Sequence, residues 1–213
     1  MNKRIITATF LMAMSSLAGF AQRQFDNLDR GLIAVKSNGG MYCSWRINAD
    51  EYYATTYDLY RDGVKVNDQP LTVSNFTDPN GTLESQYTVK AVHAGQASAN
   101  SKKGLSLANG WLEVKKPKRI SNDGKTDISN QYEPNDATIG DVDGDGEMEL
   151  ITKQLFIGQD PNNTSQADFA RIEVQKLDGT LLWWIDCGPN MWDFQQNEIN
   201  IMAYDWDGDG KAE

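Results

Sequence analysis

The sequence predicts an all-β protein in two parts. A small antiparallel β-sandwich occupies residues 22–114; beyond a linker over 115–134, the first part of a β-propeller occupies 135–213. Three observations lead there. Short runs of alternating apolar and polar residues are punctuated by turn residues, and no apolar period of about 3.6 points to a helix. Charge divides the chain, with 14 Lys/Arg against 12 Asp/Glu in residues 22–132 but 4 against 18 in residues 133–213. The acidic part also carries one short motif twice, 64 residues apart.

Residues 1–21 have the three-part pattern of an export signal: Lys3 and Arg4, an apolar stretch from Ile5 to Phe20, and the small residues Gly19 and Ala21 at the cleavage positions. The stretch is interrupted by Thr7, Thr9, Ser15 and Ser16, too short and too polar for a span that needs about 20 apolar residues. A secreted or periplasmic, soluble protein is expected, with no membrane span. Cys43 and Cys187 stand one in each part. They provide no disulfide framework, and burial as small apolar side chains is expected for both.

In the first part, Leu32–Val35 leads through Asn38-Gly39-Gly40 to Met41–Arg46. Tyr57–Tyr60 then turns at Arg61-Asp62-Gly63 into Val64–Val66, and Tyr87–Val92 runs up to Gly95. In order, Ser44-Trp45-Arg46, Tyr60-Arg61-Asp62-Gly63 and the Tyr87 strand resemble a fibronectin type III domain, with Tyr87 at a corner-tyrosine position. Of Trp45, Tyr52, Tyr53 and Tyr57, one or two are expected in the core rather than on a sugar. His93, the single histidine, has no second histidine with which to form a site. In the linker, the basic run Lys115-Lys116-Pro117-Lys118-Arg119 is expected to be solvated.

The repeated motif places carboxylates at positions 1, 3, 5 and 9, as Asp141, Asp143, Asp145 and Glu149 and again as Asp205, Asp207, Asp209 and Glu213. Gly146 and Gly210 stand at position 6, where a sharp turn is needed. Position 7 is Glu147 in one copy and Lys211 in the other, a charge reversal expected where only the backbone carbonyl binds. Such crowded carboxylates need a cation, and hard oxygen ligands at alternate residues of a tight loop suit Ca2+. An EF-hand is disfavoured: its bidentate Glu position is Thr152 here, within a run that looks like a strand. An acidic part with so few basic residues excludes nucleic acid as a partner.

Between the two loops lie strand-like runs at Ala170–Gln175, Leu181–Ile185 and Ile199–Tyr204, with a turn at Asp178-Gly179. One loop and about four strands per repeat is the unit of a propeller blade. Trp183 and Trp184 must point to opposite faces, and both are expected to be buried between stacked blades. The second loop ends at its last ligand, so the first is expected to be the better calcium site, and the chain is expected to be the N-terminal part of a longer protein.

Several motifs now stand in an order that resembles the rhamnogalacturonan lyases of polysaccharide lyase family 11. They are Arg23-Gln24-Phe25, Arg30–Val35, Ser44-Trp45-Arg46, Tyr60–Gly63, Tyr132–Glu149, Lys176–Thr180, Leu182-Trp183, Gly188-Pro189-Asn190 and Tyr204–Glu213. The resemblance implies a sandwich followed by an eight-bladed propeller that holds calcium and the active site. It implies β-elimination on the rhamnogalacturonan I backbone of pectin, with that polysaccharide as partner, and it carries a substrate-binding role to Asn135. The catalytic base is not identifiable among Lys153, Arg171, Lys176 and Lys211. Leu155 stands where the family has a cleft Asp, and Trp192–Glu198 replaces a His-Tyr-Thr-Gln segment. The competing expectation is a non-catalytic calcium-stabilised propeller that binds glycan or a partner. A monomer is expected in either case.

Overall fold

Turn chemistry sets the strands of the first part. Asn38-Gly39 joins β1 (Ile33–Ser37) to β2 (Gly40–Ser44), and Asp62-Gly63 joins β3 (Thr55–Arg61) to β4 (Val64–Lys65). After β5 (Asn75–Asp78), Ala94-Gly95 joins β6 (Tyr87–His93) to β7 (Gln96–Ala97). Asp62 and Gly63 have φ of 51° and 82°, and Ala94 and Gly95 have 49° and 81°. Paired positive φ of this kind gives a two-residue turn whose twist matches that of the strands it connects. The computed structural model behind this description covers residues 28–49, 51, 54–158, 160, 162–189 and 200–213. The expected export signal, the Arg23-Gln24-Phe25 motif, Tyr52, Tyr53 and the Trp192–Glu198 stretch lie outside these residues.

The strands form two sheets, β5–β2–β1–β8 and β4–β3–β6–β7, where β8 (Leu105–Leu107) runs parallel to β1 with Ile33 opposite Leu105. Period-2 alternation turns one face of each sheet inward. Leu32, Ala34, Met41, Cys43 and Trp45 from the first meet Tyr57, Leu59, Tyr87, Val89 and Ala91 from the second, which makes the pair a sandwich. Each large side chain so buried contributes about 1.5–3 kcal/mol. Trp45 and Tyr57 meet edge to face at 5.6 Å inside this core, as expected for two of the four aromatics. His93 is exposed, with its Nδ1 2.8 Å from Thr55 Oγ1. Both cysteines are free, Cys43 buried and Cys187 partly so.

A polar pin crosses the core at Asp78. Its carboxylate, 2% exposed, accepts the Tyr87 hydroxyl at 2.8 Å and Arg61 Nη1 at 2.7 and 2.5 Å, tying β5 to β6 and β3. The backbone passes so close that a Cβ on Gly40 (φ 116°) would lie 2.1 Å from the Asp78 carbonyl oxygen.

The second part is a four-stranded meander. β9 (Tyr132–Gly140), β10 (Glu149–Phe156), β11 (Arg171–Gln175) and β12 (Leu181–Asp186) pair antiparallel with their sequence neighbours, with the expected Asp178-Gly179 turn between the last two. Among the described residues there is no α-helix and no helix long and apolar enough to cross a membrane.

Three expectations are corrected here. Arg119 is not solvated: it is 1% exposed and donates through Nε and Nη2 to Glu173 on β11, both at 2.7 Å. Charge this deep requires a bidentate partner, and Glu173, 54 residues away, supplies one. Trp183 and Trp184 are 42% and 45% exposed on β12, the edge strand of its sheet, where only the Arg171 guanidinium, 5.2 Å from the ring centre, is found stacked on Trp184 among the described residues. Residues 200–204 form no strand: Tyr204 instead exchanges backbone hydrogen bonds with Glu213, at 3.3 and 3.1 Å.

Candidate metal centre

The two acidic loops fold alike because their first Asp organises each of them. Asp141 Oδ1 accepts the N–H of Gly144 (2.8 Å) and of Asp145 (3.0 Å), while its Oδ2 accepts Gly146 N–H (2.8 Å). Asp205 accepts from Gly208 (2.6 Å), Asp209 (3.1 Å) and Gly210 (2.9 Å) in the same pattern. The closing Glu completes each loop: Glu149 Oε2 accepts Val142 N–H at 3.0 Å, and Glu213 Oε2 accepts Trp206 N–H at 3.0 Å. The glycines at position 6 have φ of 87° and 90°, as the motif requires. Those at position 4, Gly144 and Gly208, also have positive φ, each 78°. A glycine at the same place in both copies is the sequence signal for that backbone.

The carboxylates converge differently in the two copies. Oxygens of Asp205, Asp207, Asp209 and Glu213 lie within 4.8 Å of one another, and so do oxygens of Asp141, Asp143 and Glu149. Ligands on opposite sides of a calcium ion, each about 2.4 Å from it, are about 4.8 Å apart, so both sets have the right span. Glu149 is 1% exposed with no basic group paired to it among the described residues. Burial first, and the neighbouring charge of Asp143 with it, raise its carboxyl pKa above the ordinary value, against the pull of the Val142 N–H. A buried carboxylate beside two others is a donor set that fits a hard dication.

Asp145 is the exception. Two lysines take it: Lys176 Nζ at 2.9 Å and Lys102 Nζ at 3.4 Å. Lys176 also lies 2.6 Å from Asp143, and Lys102 lies 3.4 Å from Glu147. The hydrogen bond from Lys176, followed by that of the Glu147 N–H and those of Lys102, holds the Asp145 carboxyl at about 2. Neither lysine was legible as part of the site, since both are distant in sequence and arrive through the fold. The second loop gathers all four of its carboxylates within this span and the first gathers three. Glu147 and Lys211, at position 7, are exposed.

The loops also touch each other and the sandwich. Ala212 N–H donates to Asp141 O at 2.7 Å, and Lys211 Cγ lies 3.2 Å from where a Cβ on Gly144 would be. From the sandwich side, Asp29 N–H donates to Gly146 O at 2.8 Å, and Asp29 Oδ1 accepts Lys102 N–H at 2.8 Å.

Asn135 stands apart from the loops, on β9. It lines a groove of about 230 Å³ together with Lys115, Arg119, Thr152, Gln154 and Gln175. The side-chain oxygens of Asn135, Thr152 and Gln154 are buried there without hydrogen-bond partners among the described residues. Leu155, on β10, is half-buried and pairs with Glu133. Of the four basic residues in 133–213, Lys153 and Arg171 are buried and Lys176 is engaged by two aspartates, which leaves Lys211 at a loop tip. None is presented as a general base.

The family model for the rhamnogalacturonan I lyase β-sheet domain matches residues 23–106, and that for the C-terminal domain of rhamnogalacturonan lyase family 11 matches residues 111–213. Rhamnogalacturonan endolyase YesW of Bacillus subtilis (strain 168) is 39% identical over 226 residues, covering 100% of this chain and 36% of YesW. Rhamnogalacturonan exolyase YesX of the same organism is 41% identical over 202 residues, covering 90% of this chain and 32% of YesX. The crystal structure of YesW superposes with a TM-score of 0.70 over 90% of this chain and 33% of YesW, at 38% identity. A Bacillus licheniformis rhamnogalacturonan lyase superposes at 0.69 over 89% of this chain and 33% of its own, at 34% identity. The chain therefore spans about a third of the length of these relatives.

Proposed function

Because the chain belongs to rhamnogalacturonan lyase family 11, we propose that it serves in cleavage of the rhamnogalacturonan I backbone by β-elimination. The observation that carries this reading is the succession of both family models along one chain, the first over the sandwich and the second over the meander. In the reaction, a base takes the proton from C5 of galacturonate, the C4–O bond to the neighbouring sugar breaks, and a C4=C5 double bond forms. The departing oxygen takes a proton from an acid. Since the chain is a third of its relatives' length, the activity proposed is that of a protein of their length. In that setting β9–β12 acts as a propeller blade, and residues 1–21 direct export.

The two loops are proposed as calcium sites, supported by the 4.8 Å convergence of their carboxylate oxygens. Calcium bound there would cross-link each loop to itself and neutralise its carboxylates. Asp141, Asp143, Glu149, Asp205, Asp207, Asp209 and Glu213 would hold it.

The test is a fusion of this chain ahead of the part of YesW that it does not match. The fusion is expected to release products with the ultraviolet absorbance of a 4,5-unsaturated uronate from rhamnogalacturonan, whereas the 213-residue chain alone is expected to release none. A folded fusion without product would overturn the proposal.

A further inference from the structure

We propose that Lys176 and Lys102 make the first acidic loop a weaker calcium site than the second and couple its filling to the grip of the sandwich. The inference rests on the calcium reading given above. The two loops form a natural comparison. Both have an Asp at position 1 that accepts the N–H groups of positions 4, 5 and 6, both have a closing Glu that accepts the N–H of position 2, and their glycine φ values agree within 3°. Backbone geometry therefore does not distinguish them.

The cations around them do. Among the described residues no ammonium or guanidinium pairs with Asp205, Asp207, Asp209 or Glu213. At the first loop, one ammonium bridges positions 3 and 5 and a second reaches positions 5 and 7. A calcium ion about 2.4 Å from an Asp143 oxygen would stand within about 5 Å of the Lys176 nitrogen, which is 2.6 Å from that carboxylate. Like charges at that distance repel, and Asp145 joins the ion only by leaving both lysines.

Lys102 makes this competition a matter of architecture. It belongs to the sandwich, its own N–H is held by Asp29, and Asp29 in turn donates to Gly146 of the loop. The contact that weakens calcium binding is thus part of the joint between sandwich and meander. Coupling is reciprocal: if Lys102 lowers the affinity for calcium, calcium loosens Lys102 by the same factor.

Calorimetric titration of the metal-depleted chain with calcium tests this. Two classes of site are expected, and the Asp205→Asn variant, which disables the second loop, should remove the tighter one. Lys176→Met is expected to strengthen the weaker class roughly tenfold and leave the tighter unchanged, with Lys102→Met acting in the same direction. Lys176→Arg, which keeps the charge, should retain the weak affinity. Acetylation of Lys102, followed by mass spectrometry, should speed up as calcium fills the weaker class. Absence of any calcium binding would defeat the calcium reading itself. Two classes of which neither moves in Lys176→Met, or a weaker class weakened by it, would defeat the lysine assignment while leaving the calcium reading intact.

Discussion

Removing one partner of the Arg119–Glu173 pair should cost far more than its surface neighbours suggest. Both side chains are 1% exposed and share two hydrogen bonds of 2.7 Å, so Arg119→Met leaves a carboxylate in the interior without its cation. Breaking a buried pair in this way costs about 3–5 kcal/mol. With a urea dependence of about 2 kcal/mol per molar for a domain of this size, the transition midpoint should fall by about 2 M. Glu173→Met should cost a similar amount. The double variant should lose much less than the sum, because it replaces both charges with apolar stems of similar length. The assay is equilibrium unfolding in urea followed by tryptophan fluorescence, with Lys118→Met, at an exposed neighbour, as a control expected to stay within about 0.5 kcal/mol. A midpoint shift below about 0.5 M for Arg119→Met, or strict additivity in the double variant, would refute the reasoning.

Four further outcomes are expected. Tyr87→Phe removes the 2.8 Å hydrogen bond to buried Asp78 and should cost about 1.5–3 kcal/mol in the same assay, with a change under 0.5 counting against the pin. Gly40→Ala, whose Cβ would meet the Asp78 carbonyl oxygen at 2.1 Å, should prevent folding of the sandwich. Gly63→Ala (φ 82°, open space) should cost only about 1 kcal/mol, and equal effects would contradict this close approach. Burial first, and the nearby Asp78 charge second, raise the Cys43 thiol from 9.0 to about 12, so the unfolded chain releases this proton before the folded one. Stability from this group is complete below about pH 9 and is lost as pH rises from there towards 12; Cys43→Ala should flatten that decline, and an unchanged slope would disprove it. Excess chelator should lower the melting temperature of the meander but not that of the sandwich, and an unchanged meander transition would count against metal in the loops.

Local chemistry was legible in the sequence and distant pairing was not. Asp62-Gly63 and Asp178-Gly179 mark hairpins because only a few residues accept positive φ, and the two acidic motifs specify their own loops through Asp141 and Asp205. Arg119 sits in a basic run that looks solvated, and nothing nearby announces Glu173 as its partner. Trp183 and Trp184 have the pattern of a buried strand, but whether such a strand is covered depends on what lies beside it. Lys102 and Lys176 reach the first loop only once sandwich and meander have met, so the difference between two motifs of the same design could not be read from the motifs themselves.

The parallel pairing of β1 with β8 also sets the order in which this protein can be made. β1 lies inside its sheet, between β2 and β8, so one of its edges has no partner until Leu105–Leu107 has been synthesised. At translation rates of about 5–20 residues per second, the 70 residues between Ser37 and Leu107 take about 4–14 s. During that interval the first hairpin carries an open edge and an uncovered apolar face, the combination that invites strand addition by another chain. The sandwich is thus a structure that closes last at its own beginning, and the nascent chain most exposed to aggregation is one halted just short of Leu105.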